Sequence, residues 1–123
     1  MIVAVDFDGT LSHSDYPAAD NLDMKGIGLL KEFRANGGKV ILWTCRHGEA
    51  LDFAVESCHK AGLDFDAINE NESEHLKQWQ ENHGVPNEVY SPKVYADLYI
   101  DDKSLIGYKE IPWDEIREII IGA

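Results

Sequence analysis

Apolar positions along the chain fall into short continuous runs separated by longer stretches with helical spacing. Ile2 to Val5 is short, apolar and rich in β-branched residues, which predicts a buried strand. Gly9-Thr10 opens a polar loop that runs through Ser12, Ser14 and Pro17 to about Asn21. From about Met24 to Asn36, Ile27, Leu30, Phe33 and Arg34 recur at near-helical intervals, and Gly37-Gly38 ends that helix. Lys39 to Trp43 is a second apolar strand. Gly48 to Ala61 predicts a helix with Leu51, Ala54, Val55 and Cys58 on one face, stopped by Gly62. Phe65 to Ile68 gives a short third strand, Asn69 to Glu74 a polar loop, and Glu74 to Asn82 a short helix. Pro86 and Pro92 mark loops. Asp97 to Ile100 is a further strand, and Pro112 to Ile121 a closing helix with the proline in its first turn.

Strands alternating with helices predict an α/β fold: a central parallel sheet with helices on both faces and right-handed crossovers. In such sheets ligands bind beyond the carboxyl ends of the strands. The endings are therefore the candidate site: Asp6-Phe7-Asp8, Thr44 and Asp101-Asp102, each polar and each after an apolar run. Asp6 and Asp8 lie two apart, which in extended backbone puts both on one face. With Asp101 or Asp102 from a neighbouring strand, three or four carboxylates would share one edge and repel unless a cation compensates. Oxygen-only ligands suit Mg²⁺, whereas zinc would call for histidine or cysteine. Taken singly, an Asp-x-Asp is a solvated strand end and an Asp-Asp pair a turn. Their joint placement is what carries the signal.

Composition narrows the picture further. At 123 residues, 44% hydrophobic and 28% charged, the chain suits one soluble globular domain able to bury a core without disulfides. No apolar run is long enough to span a membrane, and the N-terminus does not read as a signal peptide, so a cytoplasmic location is expected. Cys45 and Cys58 match no zinc or redox spacing and are expected to be reduced. The net charge of −12 argues against avid nucleic-acid binding. Most of these acids serve solubility.

Three segments together resemble the haloacid dehalogenase superfamily of phosphohydrolases. "DFDGT" looks like its nucleophile motif, "VILWTCR" like its second motif of a strand ending in Thr, and "SPKVYADLYIDD" like its third and fourth motifs, a lysine before a strand with a double acid. The order is right, and the match spans Ile2 to about Ser104. The resemblance implies a three-layer α/β/α sandwich with a Rossmann-like core and a Mg²⁺-dependent phosphatase acting on a phosphomonoester. Asp6 would be the nucleophile forming an aspartyl-phosphate, and Asp8 the proton carrier that also lends its backbone carbonyl to Mg²⁺. Thr44 and Lys93 would bind the phosphoryl group, with Lys103 a rival for the lysine. Asp101 would ligate Mg²⁺ with Asp6 and Asp8, and Asp102 would complete the metal site through water or orient it. Gly9 and Thr10 form the tight turn whose backbone N–H groups approach the phosphate, and Arg46, two residues after Thr44, would either meet a substrate anion or lie at the surface.

His13 and Asp15 follow the first motif and are candidates to touch substrate. His47 lies beside Arg46, while His59, His75 and His83 are expected at the surface. Trp43 is expected to pack beside its strand, and Trp79 and Trp113, on helix faces, to pack in the core. Leu11 to Asp23 is too short for a cap domain, and Asn69 to Pro92 offers at most a helix and a loop, so the chain resembles a capless member. An open site implies a large substrate or a homo-oligomer that supplies the cover. Two alternatives remain at this level: a nucleotide or polynucleotide-end phosphatase, and a non-catalytic module that binds Mg²⁺ or a partner. Retention of both acids of the first motif argues against the second.

Overall fold

A computed structural model of the chain describes residues 1–84, 92–104 and 110–122. Its elements, in order, are β1 (Ile2–Val5), α1 (Met24–Ala35), β2 (Lys39–Leu42), α2 (Gly48–Lys60), β3 (Ala67–Ile68), α3 (Ser73–His83), β4 (Leu98–Ile100) and α4 (Trp113–Ile120). The expected alternation of strand and helix is present, with element ends shifted by a residue or two. The loop expected around Pro86 lies outside the described residues.

The strands form one parallel sheet in the order β3-β2-β1-β4. β1 therefore lies inside the sheet, and all four of its residues are buried. That explains why it reads as an unbroken apolar run rather than an alternating one. Val5 is in register with Leu42 on one side and Ile100 on the other. The next residue of each strand thus emerges at the same edge.

Val3, Val5, Val40, Leu42 and Ile100 pack with Ile27, Leu30 and Phe33 of α1, Ala54 and Cys58 of α2, and Trp113 and Ile116 of α4. The opposite face carries Ile2, Ala4, Ile41 and Ala67 against Val94 and Ala96, with Trp43 and Tyr99 half-buried beside them. The result is an α/β fold with no cap domain among the described residues, and no described helix is long and apolar enough to cross a membrane.

At the amino edge of the sheet, carboxylates close the ladder. Asp97 accepts from the Ile2 N–H at 2.7 Å and Asp66 from the Val40 N–H at 2.8 Å. Arg34 then grips Asp66 with Nε and Nη2, at 3.1 and 3.0 Å. This is why Asp66 and Asp97, both expected within strands, stand just before β3 and β4: their side chains do part of the ladder's work.

Two helix glycines separate packing from propensity. A Cβ on Gly26 would lie 2.4 Å from the buried Trp113 ring, whereas one on Gly28 would meet nothing within 4 Å. Gly26→Ala should therefore destabilise by about 1–3 kcal/mol through overpacking. Gly28→Ala should stabilise by about 0.5–1 kcal/mol through helix propensity. Thermal or denaturant melting of the two variants should show shifts of opposite sign.

Candidate active site

The register of the sheet assembles the site. Asp6 follows Val5, and its N–H donates to Ile100 O at 2.9 Å, so Asp6 and Asp101 emerge side by side from adjacent strands. Asp102 turns back over the same edge. Asp6, Asp101 and Asp102 each offer a carboxylate oxygen, all within 4.8 Å of one another, and each residue is half-buried. Such a set could hold a metal ion. Crowding has an electrostatic signature: burial, then the Asp101 and Asp102 charges, push Asp6 up from its ordinary 3.8 to about 7.

Thr10 ties these two strand ends together. Fully buried, it donates its hydroxyl to Asp6 Oδ2 at 3.3 Å and accepts the Asp102 N–H at 3.1 Å. Its own N–H turns inward to Phe7 O, and the Gly9 N–H turns to Ser12 O. The amides of Gly9 and Thr10, expected to approach a phosphate, are thus spent on closing the turn. Gly9 is required for another reason. It sits at φ +79°, and a Cβ there would lie 2.3 Å from the Asp102 carboxylate. Thr10→Val keeps the shape but leaves the Asp102 N–H without its acceptor. The loss should be about 1–3 kcal/mol, read by thermal melting.

Asp8 is held apart from the other acids. Its carboxylate is gripped by Arg46, with Nε at 2.9 Å from Oδ2 and Nη2 at 2.7 Å from Oδ1. Arg46 is not the exposed substrate contact that was expected. Its side chain is 1% exposed, and its remaining N–H groups donate to the carbonyls of Pro17, Ala18 and Ala50 at 2.7–2.9 Å. The guanidinium also lies over the rings of Phe7 and Tyr16, at 4.7 and 5.1 Å from their centroids. No N–H is left over for a substrate anion. The hydrogen bonds it donates to Asp8 raise Arg46 above its ordinary range, so it remains a cation.

Thr44 stands just beyond β2, half-buried at the same edge. Its hydroxyl accepts the Arg46 N–H at 3.1 Å, and its own N–H donates to Asn69 Oδ1 at 2.8 Å. Lys93 is exposed, its ammonium 5.3 Å from the centroid of the Tyr99 ring. Lys103, the rival, places Nζ 3.7 Å from Asp102 Oδ2, and its N–H donates to Asp101 Oδ1 at 2.8 Å. His13 pairs with Asp23, the N-cap of α1, rather than facing the acids. Trp113 is core as expected, but Trp79 is 43% exposed and stacks on His83. Cys45 and Cys58 are free thiols.

Sequence reasoning missed two participants. Asn69 ends β3 in the left-handed conformation, φ 53°, which asparagine tolerates better than most residues. Applied to β3, the strand-ending rule that found Thr44 would have found it too. Tyr16 sits in a loop with no periodicity to give it away.

No protein-family model and no curated protein matches the chain. Among solved structures, a conserved protein from Bacteroides thetaiotaomicron matches with 35% identity and a TM-score of 0.76, over 98% of this chain and 89% of that one. A hypothetical protein from Xanthomonas campestris matches at 19% identity over 98% of this chain and 60% of that one, with a TM-score of 0.44, too loose to establish a shared fold. At 35% identity over nearly the full length of both chains, this protein belongs to the same family as the conserved protein of Bacteroides thetaiotaomicron.

Proposed function

We propose that the protein is a Mg²⁺-dependent phosphatase that hydrolyses a phosphomonoester through an aspartyl-phosphate on Asp6. One observation carries the reading: Asp6, Asp101 and Asp102 converge at the carboxyl edge of the sheet while Asp8, two residues from Asp6, is held separately. Three crowded carboxylates with oxygen donors alone fit a hard divalent cation such as Mg²⁺. When bound, Mg²⁺ would neutralise these carboxylates and lower the repulsion between the nucleophile and a phosphate dianion.

The residues of the chain then divide the chemistry. An Asp6 carboxylate oxygen attacks phosphorus, and the bond from phosphorus to the leaving oxygen breaks. That oxygen takes a proton from the Asp8 carboxyl group. In the second step the Asp8 carboxylate takes a proton from water, and the water oxygen attacks phosphorus. The bond from phosphorus to Asp6 breaks, releasing inorganic phosphate and restoring both acids. Thr10 orients Asp6 through its hydroxyl. The Thr44 hydroxyl would have to share its bond with the Arg46 N–H to reach a phosphoryl oxygen. Lys103 stands beside the acidic group, its Nζ 3.7 Å from Asp102 Oδ2. Lys93 is the one favoured by motif order.

The test is release of inorganic phosphate from a panel of phosphomonoesters, alkyl, aryl and nucleotide, in the presence of Mg²⁺. Turnover of at least one of them is expected. A folded protein that turns over none above background overturns the proposal.

A further inference from the structure

Four acids stand within one short stretch of sheet edge, and a cation that gathers carboxylates would draw in all of them unless one were restrained. Restraint of Asp8 comes from Arg46. A fork of two N–H groups meets both carboxylate oxygens, the geometry in which an arginine–carboxylate pair is strongest and most directional. The fork is itself immobilised. Its other donors are consumed by Pro17 and Ala18 of the loop after β1 and by Ala50 of α2, and its faces are covered by Phe7 and Tyr16. A guanidinium buried this deeply is costly unless every donor is satisfied and its charge matched. Here both conditions are met, and Asp8 is the matching charge. The Asp8 side chain is nevertheless 41% exposed, against 1% for Arg46, so it is held from behind and left open on the solvent side.

We propose that Arg46 is the positioning residue that separates the two acids of the first motif, keeping Asp8 out of the group formed by Asp6, Asp101 and Asp102 and holding its side chain on the open side of the site. This rests on the phosphatase reading for what Asp8 does there: it takes the proton from the water that cleaves the aspartyl-phosphate. Arg46 touches neither substrate nor reacting atoms. It acts through Asp8, and it fixes the 11–23 loop to α2 at the same time.

The test uses p-nitrophenyl phosphate, whose leaving group departs without a proton, and follows Arg46→Met and Arg46→Lys by rapid mixing with Mg²⁺. Each variant should still release a stoichiometric burst of p-nitrophenol as Asp6 is phosphorylated. Steady turnover should then fall by about 10²-fold or more, because the water step has lost its positioned base. Binding of Mg²⁺ alone, measured by calorimetry, should be retained or tightened, since Asp8 becomes free to join the other acids. Burst and steady rate falling in proportion, together with weakened Mg²⁺ binding, would mark Arg46 as merely structural and overturn the inference. So would steady turnover equal to that of the parent. Should Arg46→Met fail to fold, Arg46→Lys, which keeps the charge but not the fork, decides alone. A parent protein inactive on every phosphomonoester overturns the phosphatase reading itself, an outcome distinct from an active parent with an unaffected variant.

Discussion

Asp6→Asn should abolish turnover of every phosphomonoester while making the metal-free protein more stable near pH 8. The two effects have one cause. Asn cannot attack phosphorus, so the covalent route closes, and a loss of about 10³-fold or more is expected when a covalent nucleophile is removed. Asn also removes a charge from a place where it is unwelcome. Burial, Asp101 and Asp102 raise the Asp6 carboxyl to about 7, so at pH 8 it is ionised among like charges. Relief of that repulsion should be worth about 2 kcal/mol after allowing for the water that reaches the group, or roughly 8 °C in melting temperature. Activity comes from phosphate release and stability from melting in chelator. A folded Asp6→Asn protein with parental turnover would sink the role assigned to Asp6. An unchanged melting temperature would sink the electrostatic account.

Removal of Mg²⁺ is the second large effect, and it should depend on pH. Asp6 holds a proton in the folded state up to about pH 7 that an unfolded chain, with its ordinary 3.8, has already released. A raised carboxyl contributes stability at low pH. That contribution begins to fade above pH 4 and is gone above pH 7. The metal-free protein should therefore lose stability from this group across the window from about pH 4 to about pH 7, and Asp6→Asn should lack that slope. A bound divalent cation reverses the argument, because it favours the ionised carboxylates and competes with the proton. The rise in melting temperature on adding Mg²⁺ should be larger at pH 8 than at pH 5, and excess chelator should abolish turnover. A Mg²⁺ effect on melting that is the same at both pH values would mean that Asp6 is not a ligand. Turnover that persists in chelator would remove the cation from the mechanism.

Much of the site was legible because strand ends carry local signals. Polar residues closing apolar runs gave Asp6, Thr44 and Asp101, and the parallel register does bring Asp6 and Asp101 to one edge. What each polar group is bonded to was not legible, because partners lie far apart in sequence. Thr10 reads as a phosphate-loop residue, yet its hydroxyl reaches Asp102, ninety-two positions away. Arg46 reads as a surface cation beside a strand end, yet it is buried beneath Asp8, thirty-eight positions away. Trp79 fits a helix face, but α3 leaves it half-exposed beside His83.

The sequence alone determined the alternation of strand and helix, the parallel sheet, and the concentration of acids at strand ends. Hydrophobic periodicity and turn residues are local properties, and a run such as Ile2–Val5 can be buried on both faces only inside such a sheet. Tertiary structure decided which acids share a site and which is kept out of it. That choice depends on where one buried guanidinium finds its counter-charge and the carbonyls for its remaining donors. No local pattern encodes it, because Asp8, Pro17, Ala18, Arg46 and Ala50 meet only after the β1 loop and α2 have packed together.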